Sequence, residues 1–133
     1  MLEFGLALSS EEHPPQDLIR FAAQAEEGGM DYAVLSDHFH PWIEAQGQSP
    51  FAWSVLGGIS QVTRHIRVGT GVTCPIQRIH PAIIAQAAAT TAALMPGRFW
   101  LGLGTGEALN EHITGEKWPR AATRLEMLEE SIA

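Results

Sequence analysis

The chain has 133 residues, 45% hydrophobic and 17% charged, which is enough apolar content to bury a core. Its formal net charge of −7 excludes the basic surface that nucleic acid or an anionic membrane requires. A single cysteine, Cys74, excludes an internal disulfide and fits a reducing cytoplasm. No apolar run approaches the roughly 18 residues of a membrane span, and Glu3 interrupts the short apolar start. A cytoplasmic setting without nucleic-acid or membrane partners is therefore expected.

In chain order, Phe4-Gly5-Leu6-Ala7-Leu8 reads as a short strand closed by Ser9, Ser10 and the Pro14-Pro15 pair. A helix is predicted from about Gln16, because Leu18, Phe21, Ala22 and Ala25 share one face, and Gly28-Gly29 stops it. Tyr32-Ala33-Val34-Leu35 is a second strand, followed by a helix between Pro50 and Thr63. Ile66 to Val72 reads as the third strand, ended by Pro75. His80-Pro81 opens a long Ala-rich helix, where proline suits the first turn, and Pro96-Gly97 closes it. Phe99 to Leu103 is the fourth strand. From Pro119 onward a helical pattern places Leu125, Leu128 and Ile132 on one side.

Strands alternating with helices imply a parallel sheet covered by helices, an α/β arrangement of four βα units. Polar residues follow each strand: Ser9-Ser10-Glu11, Asp37-His38, Thr70 with Thr73, and Thr105-Gly106-Glu107. A barrel gathers the loops after every strand at one mouth, whereas an open sheet uses mainly its switch point. The expected fold is the N-terminal half of a TIM (β/α)8 barrel, with residues 1–133 forming one partial domain. A complete barrel takes about 250 residues. The chain is therefore expected to be a fragment, or to associate with itself or with a second half-barrel chain through its open strand edges.

Three segments carry candidate chemistry. In Ser36-Asp37-His38-Phe39-His40-Pro41-Trp42, an imidazole at a strand end can accept a proton near neutral pH. An adjacent carboxylate can fix its tautomer, and Trp42 offers an aromatic wall. The plainer reading is that Asp37 and His38 cap a loop. A metal at His38 and His40 is disfavoured, because no further ligands stand at suitable spacing. Gly102-Leu103-Gly104-Thr105-Gly106-Glu107 resembles a dinucleotide fingerprint, but Glu107 stands where the third glycine belongs and would repel a pyrophosphate. Its glycines permit close approach to a flat ligand, and Glu107 is free to handle a proton. In Gly69-Thr70-Gly71-Val72-Thr73-Cys74-Pro75, glycines interrupt a buried strand, and Cys74 reads as buried rather than nucleophilic.

Taken together these segments resemble the F420-dependent glucose-6-phosphate dehydrogenase family within the luciferase-like superfamily. The resemblance runs from Phe4-Gly5 through Ser36-Asp37-His38-Phe39, Pro41-Trp42, Gly69 to Val72 and Pro96-Gly97-Arg98 to Gly104-Thr105-Gly106-Glu107-Ala108-Leu109-Asn110-Glu111. It implies a TIM barrel with the deazaflavin of coenzyme F420 at its mouth and a small-molecule substrate beside it. By resemblance, His38 is the base on a substrate hydroxyl, Trp42 stabilises the reacting complex, and Glu107 and Glu11 are active-site acids. Asp37 lines the cofactor site and supports His38. Gly71 and Val72 are joined by a non-prolyl cis bond behind the ring, and Thr73, Thr105, Gly106 and Asn110 lie near the cofactor. The phosphate-binding residues of that family belong to the second half of the barrel, so the resemblance does not name the substrate. The competing expectations are an FMN-dependent monooxygenase on the same barrel and a non-catalytic half-barrel that serves assembly.

Overall fold

The computed structural model describes residues 2–133. Four parallel strands run in the order β1 (Gly5–Leu8), β2 (Tyr32–Leu35), β3 (Arg67–Thr70) and β4 (Phe99–Trp100). Helices α1 (Pro15–Glu27), α2 (Ala52–Val62) and α3 (Pro81–Leu94) lie between them. After β4 come a short helix α4 (Ala108–Glu111), a 3-10 turn at His112–Thr114, and the final helix α5 (Ala121–Ile132). The predicted half-barrel of βα units is present, with sequential neighbours paired and both outer edges open. Among the described residues no helix is long and apolar enough to cross a membrane.

The sheet and helices bury one core. Leu8, Ala33, Leu35 and Val68 point from the strands toward Leu18, Ala22 and Ala25 of α1 and Val55, Leu56 and Ile59 of α2. Burying each Leu or Ile there contributes about 1.5–3 kcal/mol. Proline opens both α1 and α3, where its missing N–H would have had no partner, and Gly29 at φ 77° turns the chain out of α1. A groove of about 460 Å³ lies between α2 and α3, lined among others by Trp53, Ile83, Ala87 and Leu94. Neither helix carries a charged residue.

The opposite face of the sheet shows a regular alternation. Ala7, Val34, Gly69 and Trp100 are register partners on one rung, and strand alternation turns all four away from the helices. Small residues occupy β1 and β3, and larger ones occupy β2 and β4. A Cβ on Gly69 would sit 2.2 Å from the Trp100 ring, so the indole lies directly over that backbone. Tyr32 covers Gly5 in the same way. This is the layering of a barrel interior, where alternate strands fill each level.

Three elements differ from expectation. β3 stops at Thr70 rather than Val72, and β4 at Trp100 rather than Leu103. There the ladder passes to side-chain bonds: Thr70 Oγ1 donates to the Gly102 carbonyl (2.9 Å) and accepts from the Gly102 N–H (3.2 Å). A single bridge, Thr73 to Leu103, resumes the pairing. The helix after Pro119 is present, yet Leu125 and Ile132 on its apolar side remain exposed, because none of the described residues covers them. α4 was not expected, being too short to show a period.

One tie holds α1 to the turn before β3. The Glu26 carboxylate accepts backbone N–H groups from Arg64 (2.9 Å), His65 (2.5 Å) and Ile66 (2.7 Å). Partial burial pushes its pKa up, but these three bonds outweigh burial and bring it below the usual glutamate value. A depressed folded pKa means that the stabilisation is complete above the ordinary value of 4.5 and is lost as pH falls through the folded one. Glu26→Ala is expected to cost about 1–2 kcal/mol at pH 7. The same variant should lose less stability than the parent on acidification below pH 4.5, measured by urea unfolding at each pH. Parallel pH profiles for the two proteins would refute the tie.

Candidate active site

Every candidate group stands at the C-terminal end of the sheet, where the chain leaves a strand. After β1 the chain turns at Ser9-Ser10-Glu11, and Glu11 is carried under the loop that follows β2. There its carboxylate is almost fully buried and accepts from Ser9 Oγ (2.9 Å) and Ser36 Oγ (3.0 Å). Its remaining oxygen meets Nδ1 of His38 in a close hydrogen bond. Burial pushes the pKa of Glu11 up, but bonds from its own backbone N–H, Ser9, Ser36 and His38 prevail and hold it below the usual glutamate value. An ionised Glu11 is an acceptor only, so Nδ1 donates in that bond and Nε2 is the nitrogen left facing outward to exchange a proton.

Nε2 is directed at the second acid. Glu107 Oε1 lies 3.7 Å away, too far for a hydrogen bond but within ion-pair range once the ring is charged. Trp42 stands edge-on to the imidazole, with ring centroids 4.9 Å apart and planes at 78°. The imidazole, the indole and the carboxylate, which come from the β2 loop and the segment before α4, therefore meet at one point. Trp42 is exposed, and Glu107 is about one-third exposed.

Asp37 requires a correction. The sequence suggested that it steadies the neighbouring histidine, but its buried carboxylate turns the other way. It accepts from Thr73 Oγ1 (2.7 Å) and from Arg78 Nη2 (2.9 Å). Successive residues leaving a strand point to opposite sides, so His38 faces the mouth while Asp37 faces the interior. Glu11 is the carboxylate that orients the ring.

The other candidates divide by exposure. Thr73 and Asn110 are fully buried. Asn110 Oδ1 accepts the N–H groups of Phe39 and His40, both at 2.7 Å, and its Nδ2 donates to Glu107. It thus clamps the loop carrying His38 to the segment carrying Glu107, just before α4. Gly71 and Val72 are exposed at the rim and joined by a cis peptide bond, as the resemblance implies. Thr105 and Gly106 are half-buried, with Gly106 at φ 67°, a conformation only glycine adopts freely. Cys74 is buried and its thiol is pushed up to about 12, first by burial and then by the Glu111 charge, which makes it inert. His40 packs edge-on against Phe39, and among the described residues no three metal-ligating side chains gather.

Sequence reasoning missed Arg78, Glu111, Ser9 and Ser36 as site residues. Arg78 lies 41 positions from Asp37 in an irregular loop, so no spacing rule connects the two. Glu111 stands in the sequence only as the end of the motif that begins at Gly104, with no spacing that ties it to Arg78. The two serines flank recognised residues, and their hydroxyl bonds appear only once β1 and β2 are paired.

Four βα units with a histidine–carboxylate pair at the strand ends define the class: this is half of a TIM-barrel scaffold. The chain belongs to the luciferase-like monooxygenase family, whose model matches residues 1–133. It is 45% identical over 133 residues to an F420-dependent glucose-6-phosphate dehydrogenase of Nocardia farcinica, covering 98% of this chain and 40% of that protein. Among solved structures it is similar to an F420-dependent secondary alcohol dehydrogenase in complex with an F420-acetone adduct. There the TM-score is 0.93 with 40% identity, covering 98% of this chain and 39% of that one. It also shares its fold, at TM-score 0.77 and 22% identity, with the FMN-bound oxygenating constituent of 3,6-diketocamphane monooxygenase from Pseudomonas putida, covering 98% of this chain and 37% of that one. The chain thus spans about 40% of the length of the curated relatives it matches.

Proposed function

We propose that this chain is the N-terminal, proton-handling half of an F420-dependent dehydrogenase acting on an alcohol or sugar-type substrate. The observation that carries the reading is the polarity of His38: Nδ1 is held by Glu11, and Nε2 faces Glu107 at the mouth. A base held with its free nitrogen outward suits removal of a hydroxyl proton while hydride leaves the same carbon. On accepting that proton the ring becomes cationic, and carboxylates on both sides, Glu11 and Glu107, stabilise it. Trp42 closes one side against water.

The residues present fit a flat, largely uncharged ring. Val72 is 44% exposed at the rim, and it leans over Gly104, where a Cβ would come within 2.7 Å of its side chain. This leaves an apolar surface on glycine-thinned backbone next to the proton-handling pair. Gly71, Val72, Thr105 and Gly106 would hold the ring, with Asp37, Thr73 and Asn110 fixing the loops beneath it. Bound there, the deazaflavin supplies a hydride acceptor at its C5, and the protein supplies position and protons. Arg78 is committed to two buried carboxylates, so it is not free to bind the cofactor's phosphate. The open edges of β1 and β4 are where a second half-barrel, on the same or another chain, completes the fold.

F420 is preferred over FMN because the relatives of 40–45% identity bear F420 in their names, whereas the FMN-bound neighbour shares the fold alone. Titrating the closed barrel with each cofactor tests this. Saturable quenching of deazaflavin fluorescence by the protein is expected, and saturable binding of FMN alone would overturn the proposal. The half-barrel by itself should bind F420 more weakly than the closed protein.

A further inference from the structure

The buried cation beneath the mouth takes no part in the proton chemistry above, yet it touches both elements that carry it. The Arg78 side chain is only 6% exposed. Its Nη2 donates to Asp37 Oδ1 (2.9 Å) and to the Asp37 carbonyl (3.2 Å), and its Nε donates to Glu111 Oε1 (3.2 Å). Its backbone N–H reaches the second oxygen of Glu111 (3.1 Å). Asp37 immediately precedes His38. Glu111 immediately follows Asn110, whose amide binds Phe39, His40 and Glu107. A closed ring of bonds therefore runs from the β2 loop through Arg78 to α4 and back through Asn110.

We propose that Arg78 is a positioning residue that sets the separation of His38 and Glu107 by bracing the β2 loop against α4. A planar guanidinium fork can bridge two carboxylates and a carbonyl at fixed angles, and a lysine ammonium cannot. The requirement for burial follows too. One guanidinium between two buried carboxylates is held by both charges, which overcome burial and raise its pKa above the ordinary arginine value. Glu111 responds the other way: burial raises its pKa in spite of Arg78. Misplacing a catalytic group by a fraction of an ångström lowers turnover without removing any chemical group.

The rate effect rests on the function proposed above, but the geometric claim does not. The test compares Arg78→Lys with the charge-balanced double variant Arg78→Met, Glu111→Gln in the closed barrel. Turnover is expressed per folded molecule, F420 affinity is measured separately, and the His38 ring resonance is followed by NMR. Turnover is expected to fall about tenfold in either variant that folds, with F420 affinity unchanged and the His38 resonance displaced. Wild-type turnover per folded molecule with an unmoved His38 resonance, even alongside a lowered Tm, would reduce Arg78 to a stabilising residue and overturn the proposal. If the wild-type protein fails to bind F420, the proposed function falls, while the His38 resonance still decides the role of Arg78.

Discussion

Replacing His38 with alanine in the closed barrel is expected to lower turnover about a thousandfold, with little change in F420 affinity. The imidazole is the one group at the mouth whose free nitrogen is presented outward while its other nitrogen is anchored. Its removal leaves Glu11 buried too deeply to reach a substrate hydroxyl, and leaves no imidazole at that point of the mouth to take the proton. The affinity should hold because the rim, formed by Gly71, Val72, Thr105 and Gly106, does not depend on that ring. Steady-state rates together with fluorescence titration measure both quantities. Turnover within tenfold of wild type would remove His38 from its role as base.

The second large effect is expected at Glu11. Glu11→Gln keeps the size of the side chain but replaces one of two acceptor oxygens with a donor. Ser9, Ser36 and His38 all direct donors at this carboxylate, and an amide cannot satisfy them together. Against an amide N–H, the imidazole is driven to accept at Nδ1 and carry its proton on Nε2, where it can no longer act as a base. The anion that stabilises the charged ring is lost as well. Turnover should fall about a hundredfold, with F420 affinity again preserved. A 15N spectrum of the ring should show the proton transferred from Nδ1 to Nε2. A variant that keeps both the wild-type tautomer and the wild-type rate would disprove this assignment.

The two experiments divide the labour at the mouth between a group that reacts and one that directs it. The sequence pointed to both residues but connected them wrongly. His38 was legible because Asp-His at a strand end, followed by Pro41-Trp42, is a dense local pattern. Adjacency in sequence suggested Asp37 as its partner, whereas strand alternation separates neighbours to opposite sides. The true partner lies 27 residues away in the turn after the preceding strand, and only the pairing of β1 with β2 brings it near. Arg78 was hidden for a related reason: a loop residue has no period, and its two carboxylates come from elements separated by more than seventy residues.

The fold itself was more legible than its ends. β2 reads directly from Tyr32-Ala33-Val34-Leu35, because β-branched and aromatic residues between turn signals leave little choice. β3 and β4 read too long, because the strand-like pattern of Ile66 to Val72 and the apolar run Phe99 to Leu103 continue past the point where hydroxyl bonds take over from the ladder. α5 shows the limit of periodicity. Its apolar side was correctly located by spacing, yet spacing does not reveal whether a partner is present to cover it.

The inner rung of the sheet constrains its future neighbours. Because β4 ends in a bulky indole and β1 offers only a methyl at the same height, the two free borders are unlike each other. A strand docking beyond Trp100 must be slender there, and one docking beyond Ala7 must bring volume. Under the barrel closure proposed above, the two unlike borders would favour one order and one height of docking and disfavour a slip along either edge.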